Sequence, residues 1–219
     1  MTARLRPLLL ASCLPLLGAC ALLGGGGKDS KITIYSPLPA SDSQASTAWP
    51  QVNWQLGIAK PSAERMLDSP RIAVRPQPQE LQVYRGATWS MPTTDLLEAS
   101  VLRLLEDSGK APGVARMSSG LRADYRLSLD IRRFEADYAG HALPTATIEV
   151  TAKLLHSQSQ KVVASQTFRQ GITAGGTQLP QVIPAFEQAL GIVSRDIAGW
   201  SLHQGQEHAG SVPSRIQAH

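Results

Sequence analysis

Between residues 125 and 132 the chain alternates without a fault, with Tyr125, Leu127, Leu129 and Ile131 on one side and Arg126, Ser128, Asp130 and Arg132 on the other. A period of two is that of a β-strand with one buried face. At Arg133-Phe134 the pattern slips by one position, so a bulge or bend is expected there, ahead of Tyr138. Ile148, Val150, Ala152 and Leu154 repeat the alternation, Ser157 to Gln160 turn the chain, and Lys161 to Phe168 return. These three segments predict an antiparallel meander. Shorter strands are expected at residues 31–36, ended by Pro37 and Pro39, at 52–59, at 71–75, and at 80–85, the last running into a turn at Gly86. Residues 40–50, rich in Ser, Thr and Ala, read as a loop.

Two segments carry helical spacing instead. After Pro92, Leu97, Val101, Leu104 and Leu105 form one apolar face, Asp95 with Glu98 can cap the start, and Gly109 suits the stop. That face is expected to pack on the protein's own sheet. Phe186, Leu190, Val193, Ile197 and Trp200 form the stripe of a longer closing helix, with Pro184 tolerable only in its first turn. The polar stretch from Gln204 to His219 is expected to fray. The sum is an α+β domain, a single largely antiparallel or mixed sheet with two main helices packed on one face.

The first twenty residues follow a different logic. Met1 to Arg6 is short and basic, Leu8 to Leu17 is a largely apolar stretch broken by Pro15, and small residues precede Cys20. That is the order of an export signal, and the apolar run is about half of what a bilayer-spanning helix needs. Leu17-Gly18-Ala19-Cys20 has the form of a bacterial lipobox, which places cleavage ahead of Cys20 and lipid on it. Leu10-Ala11-Ser12-Cys13 fits the same form, but cleavage there would leave only Pro7 to Leu10 as the hydrophobic region. Spacing therefore selects Cys20 as the lipidation site. Ala21 follows it; in the sorting rule of enteric bacteria an Asp at that place retains a lipoprotein in the inner membrane, so Ala21 points to the outer membrane. The expected organisation is a signal peptide at 1–19, a lipidated N-terminus and Gly-rich tether at 20–30, a folded domain at 31–203 and a flexible tail at 204–219.

Composition narrows the chemistry. The chain has 219 residues, is 42% hydrophobic, and fits one ordinary domain with appendages. Its formal charge is +4; taking Arg4 and Arg6 from the 21 basic residues, against 17 acidic ones, leaves +2. With no dense Lys/Arg block, nucleic acid is not an expected partner. Both cysteines lie in the first twenty residues, so the domain has no disulfide, thiolate nucleophile or Cys-based metal site. Gly24 to Gly27 with Lys28 is no phosphate loop, because Leu22 and Asp29 stand where such loops need Gly and Ser or Thr. His141 and His156 look isolated near turns, and His203, His208 and His219 fall in the tail without metal-ligand spacing. All five read as solvated surface histidines. Met117-Ser118-Ser119-Gly120 has the wrong spacing for a nucleophile elbow. Asp124, Asp130, Glu135 and Asp137 are scattered along one strand region where alternate residues face solvent. Trp49, Trp54 and Trp89 read as core residues, with an interface role as the rival. No catalytic residue, cofactor or metal site is expected.

Ile72-Ala73-Val74-Arg75-Pro76, then Leu81-Gln82-Val83-Tyr84-Arg85, then Trp89-Ser90-Met91-Pro92 leading into the first helix, resembles the ABC-type transport auxiliary lipoprotein family. Ala123-Asp124-Tyr125-Arg126-Leu127, the closing helix and the lipobox fit the same resemblance, which spans roughly residues 30 to 203. It implies a non-enzymatic lipoprotein that accompanies ABC transporter subunits and an MCE-type periplasmic protein in moving lipids between membranes. The implied place is the cell envelope, facing the periplasm. Cys20 is the one position carried over, as the lipidated residue; the Tyr84–Trp89 segment is expected to lock the turn between strand and helix. Homo-oligomerisation is left open. The rival reading is an envelope lipoprotein that binds a small ligand, or acts as a structural or assembly factor, without a transporter.

Overall fold

The computed structural model describes residues 31–37 and 48–211. In chain order the elements are β1 (Thr33–Tyr35), β2 (Leu56–Ile58), β3 (Ser62–Ala63), β4 (Arg71–Gln77), β5 (Glu80–Trp89), α1 (Thr93–Ser108), β6 (Val114–Arg116), β7 (Tyr125–Asp137), β8 (Thr145–His156), β9 (Lys161–Thr173) and α2 (Leu179–Ser211). The class is α+β, with one mixed sheet and two helices.

The long alternating segment at 125–137 is the spine of that sheet. On one edge β7 pairs antiparallel with β8, and β8 with β9, as the meander pattern predicts. On the other edge three short strands dock end to end and parallel: β2 at Tyr125–Leu127, β3 at Asp130–Ile131 and β4 at Glu135–Asp137. Antiparallel β5 extends β4, parallel β1 extends β5, and parallel β6 extends β2. The expected slip is a bulge between Ile131 and Arg133 against Val150 and Glu149 of β8. Its extra residue, Arg132, resets the alternation, so Phe134 and Ala136 continue the buried row begun by Tyr125, Leu127, Leu129 and Ile131.

Three expectations along the first half change. β5 does not turn at Gly86 but runs on to Trp89; Gly86, with φ 69°, sits in a register shift where β5 carries extra residues opposite Arg71–Ala73. A left-handed residue inside a strand accommodates such a bulge at little cost only as glycine. The strand expected at 52–59 is confined to Leu56–Ile58. The start of α1 follows Pro92 without a side-chain cap, since Asp95 lies 3.9 Å from Lys60 and Glu98 accepts from Arg116 Nε at 3.0 Å. Thr93 Oγ1 donates to Leu67 C=O at 2.6 Å and Thr94 Oγ1 to Asp68 Oδ1 at 2.7 Å, so the segment ahead of β4 holds that end. The stop is as expected, with Gly109 left-handed at φ 60°.

The two helices close the core. α2 lies against β8, β9 and β7, and α1 lies against α2 and β6. Trp89, Phe134 and Phe186 meet at the centre, with Phe134 and Phe186 stacked at 5.6 Å and Trp89 edge-on to both. All three tryptophans in question are core residues. Pro184 is six residues inside α2, beyond the first turn, so its missing N–H leaves the Pro180 carbonyl without its helical donor. The helix also outlasts the expected boundary at 203 and reaches Ser211. Gly205 explains why, because the Trp54 indole fills the space where a Cβ would stand; Gly199 opens the same kind of notch for Trp49. Both tryptophans are docked on the helix flank, and the last turns are anchored by packing that a list of polar residues does not reveal.

Candidate functional site

The expected lipidation site Cys20, its look-alike Cys13 and the glycines at 24–27 lie outside the described residues. What the described domain offers is two clusters of chemistry-bearing side chains and one unusual surface.

The first cluster is ionic. The bulge after Ile131 turns Arg133, Glu135 and Asp137 to the side of β7 away from Phe134, and the parallel docking of β4 brings Arg75 alongside. Arg75 donates twice to Glu135, Nε to Oε1 at 2.8 Å and Nη2 to Oε2 at 2.9 Å, and Arg133 Nε donates to Oε1 at 2.7 Å. Arg133 also pairs with Asp137, while Arg75 Nη1 reaches Pro78 C=O at 2.9 Å. Glu135 is 1% exposed, contrary to the expected solvent-facing row. The hydrogen bond to Glu135 raises the pKa of Arg75 further. For Arg133 burial works against the charge, and the bonds to Asp137 and Glu135 outweigh it and raise the pKa. Two guanidinium groups facing two carboxylates form a closed, charge-balanced set that ties β4 to β7. A carboxylate accepting three charged N–H bonds is poorly placed to take up a substrate proton.

Asp124 and Asp130, the other two carboxylates of that strand region, are committed to structure as well. Asp124 Oδ2 accepts from the Gln55 backbone N–H at 2.8 Å, and Asp130 Oδ1 from Ser62 Oγ at 2.7 Å, so each fastens a short strand to β7.

The second cluster corrects the reading of the histidines. Tyr125 and His156 are register partners on β7 and β8, and the extended α2 lays His208 beside them. The two imidazoles are 5.1 Å apart between ring centres, Tyr125 Oη is 2.8 Å from His208 Nδ1, and Trp54 lies 4.6 Å from Tyr125. Burial, with Asp124 adding, pushes the Tyr125 phenol up. His156 Nδ1 also meets Ser159 Oγ at 3.0 Å, a local contact within the β8–β9 turn. No group of three or more His, Cys, Asp or Glu among the described residues could hold a metal ion. Nothing in the sequence spacing joins residues 125, 156 and 208; only strand register and the length of α2 do.

The third feature is a surface. Ile32 is 65% exposed and Ile34 66%, with Met91 also exposed just past the end of β5. Ile34, Thr88 and Arg71 stand in one cross-strand row over β1, β5 and β4. The neighbouring Tyr84–Trp89 segment is structural: Trp89 N–H donates to Pro70 C=O at 2.7 Å and Ser90 N–H to Tyr35 C=O at 2.8 Å, which fixes β5 immediately before α1. No helix among the described residues is long and apolar enough to cross a membrane.

Similarity to known proteins agrees with this architecture. A crystal structure of protein XCC0632 from Xanthomonas campestris is 53% identical, superposes with a TM-score of 0.75, and is matched over 82% of this chain and 100% of that one. A second crystal structure, of an uncharacterized protein, shares the fold at 14% identity and a TM-score of 0.59, over 77% of this chain and 97% of that one. Among curated proteins, uncharacterized protein bll6063 of Bradyrhizobium diazoefficiens is 25% identical over 187 residues, which are 85% of this chain; the chain spans 49% of that relative's length. The family model of the ABC-type transport auxiliary lipoprotein component matches residues 36–198, from just after β1 to the middle of α2. With that match covering most of its length, the chain belongs to the ABC-type transport auxiliary lipoprotein component family.

Proposed function

We propose that this protein is a non-enzymatic, lipid-anchored accessory component of an ABC and MCE-type system that moves lipids across the cell envelope. The observation that carries the proposal is the family match over residues 36–198, which begins shortly after the lipobox Leu17-Gly18-Ala19-Cys20. Acylated Cys20 holds the chain in a membrane, the outer one by the Ala21 criterion, and the domain faces the periplasm. At about 0.8 kcal/mol per buried CH₂, an acylated cysteine with more than one chain is a stable anchor. Residues 20–30 link the anchor to the domain, which works by contact with transporter subunits and an MCE-type protein. The non-enzymatic part is supported by the commitments of these acidic groups: Asp124, Asp130 and Glu135 each serve a strand junction, and Asp137 is paired with Arg133 of its own strand.

The test is fractionation and capture with the full chain. The native protein should pellet with membranes in high salt and co-purify from mild detergent with an ABC ATPase, its permease and an MCE protein. Cys20→Ala should fold and leave the membrane fraction. Retention of that variant in the pellet would refute the anchor, and capture free of transporter subunits would refute the transport role.

A further inference from the structure

We infer that the β1 corner of the domain is a membrane contact, in which Ile32 and Ile34 enter the headgroup–acyl boundary of the bilayer that carries the Cys20 anchor. The inference rests on the proposed lipidation of Cys20 and adds a second point of attachment to it. Successive residues of a strand face opposite sides, so Ile32 and Ile34 share a face, and Tyr35 on the other packs against the core. Five large hydrophobic residues among the described ones are well exposed, and three of them lie together in the chain's β1–β5 pair: Ile32 immediately before β1, Ile34 within it, and Met91 just past the end of its partner β5. Single exposed apolar residues are ordinary, whereas their concentration at one edge marks an interaction surface.

Chain connectivity names the occupant. Ile32 is twelve positions after Cys20. Even a fully extended chain of that length reaches no more than about 40 Å, and β1 is the described element that follows the anchor first along the chain. An intramolecular second contact acts at high effective concentration, so a shallow, individually weak insertion is enough once the anchor is in place. Charge agrees with a lipid surface: Arg85 is exposed on β5, the strand that pairs with β1, and Arg71 stands beyond Thr88 in the row that starts at Ile34. Apolar side chains flanked by cations are the composition of an interfacial contact with anionic headgroups.

The mature chain offers a clean assay, because its acylated Cys20 leaves no other thiol and a new cysteine can be labelled alone. Full-length Ile34→Cys, Ile32→Cys and, as a control on the far edge, Ser165→Cys would each carry the polarity-sensitive fluorophore NBD. Each is reconstituted in vesicles of phosphatidylethanolamine and phosphatidylglycerol. Probes at 32 and 34 should be blue-shifted and quenched by nitroxide near the headgroup, less so without phosphatidylglycerol, and the probe at 165 should be water-like throughout. Water-like emission at 32 and 34 in protein that floats with the vesicles would overturn the contact and leave the anchor standing. Protein that does not float would overturn both. Shielding that grows with protein density but resists lipid nitroxide would overturn the inference in favour of a second copy as occupant.

Discussion

Tyr125 Oη and His208 Nδ1 lie 2.8 Å apart across 83 positions of sequence, joining the first residue of β7 to the last turn of α2. This contact, with Gly205 against Trp54, is what keeps the closing helix ordered beyond residue 203. Tyr125→Phe removes the bond without disturbing the ring packing on Trp54, so the expected cost is about 0.5–1.5 kcal/mol. Hydrogen exchange should locate the loss, with faster exchange over residues 204–211 and unchanged protection in β7 and β8. Uniform loss of protection through the sheet would show that the contact does not act on the helix end alone.

Gly205→Ala tests the packing half of the same junction. A Cβ there would overlap the Trp54 indole ring, and at Gly199 it would stand 2.5 Å from Trp49 Nε1. Indole rings sealed between helix and sheet have little room to retreat, so each alanine should destabilise by about 1–3 kcal/mol despite its better helix propensity. Urea unfolding measures it. Gly210→Ala is the internal control, since nothing stands within 4 Å of its Cβ, and it should be neutral or mildly stabilising.

These junctions show where sequence reading succeeds and where it stops. The meander and its bulge were legible because burial of one sheet face writes itself as a period of two, and the slip at Arg133-Phe134 is that period broken by one extra residue. The family resemblance was legible in strand and turn segments that the structure shows to be structural, Trp89 above all. The end of α2 was not legible, because Gln204 to Ser211 look polar and their order comes from Trp54 and Tyr125, far away in the chain. Nor was the burial of Glu135: its alternation gives the correct face, but only the parallel docking of β4 brings Arg75 to cover it. Sequence periodicity reports which side a residue is on and is silent about what another strand lays over that side.

Glu135→Ala should be among the most damaging single substitutions in the domain. It leaves Arg75 and Arg133 facing each other with Asp137 as the one remaining carboxylate of the set, at a cost of about 3–5 kcal/mol for breaking a buried pair. Replacing the whole set, with Arg75→Met, Arg133→Leu, Glu135→Leu and Asp137→Asn, should recover most of that loss, because desolvation of the charges disappears with them. Chemical denaturation of both variants decides it. If the single variant were as stable as the native chain, the cluster would not be what fastens β4 to β7.

Alkaline stability offers the last test, through Tyr84. Its phenol is half-buried beside the core, and burial, with the neighbouring Tyr138 phenol adding, pushes its pKa well above the ordinary value of 10.0. Tyr125 shifts in the same direction for the same leading cause. When pH exceeds 10 the unfolded chain releases these protons while the folded chain keeps them, so the unfolded state binds fewer protons and stability falls as pH rises. Below pH 10 both states hold the protons and the effect vanishes. Tyr84→Phe cannot ionise, so it should flatten the decline in unfolding free energy between pH 10 and the raised folded-state value, and leave stability at pH 7 close to native. Tyr125→Phe should act in the same sense but cost stability at neutral pH too, because it also loses the bond to His208. Urea midpoints collected against pH for the two variants separate the contributions, and an alkaline limb equally steep in both and in the native chain would place the titrating groups elsewhere.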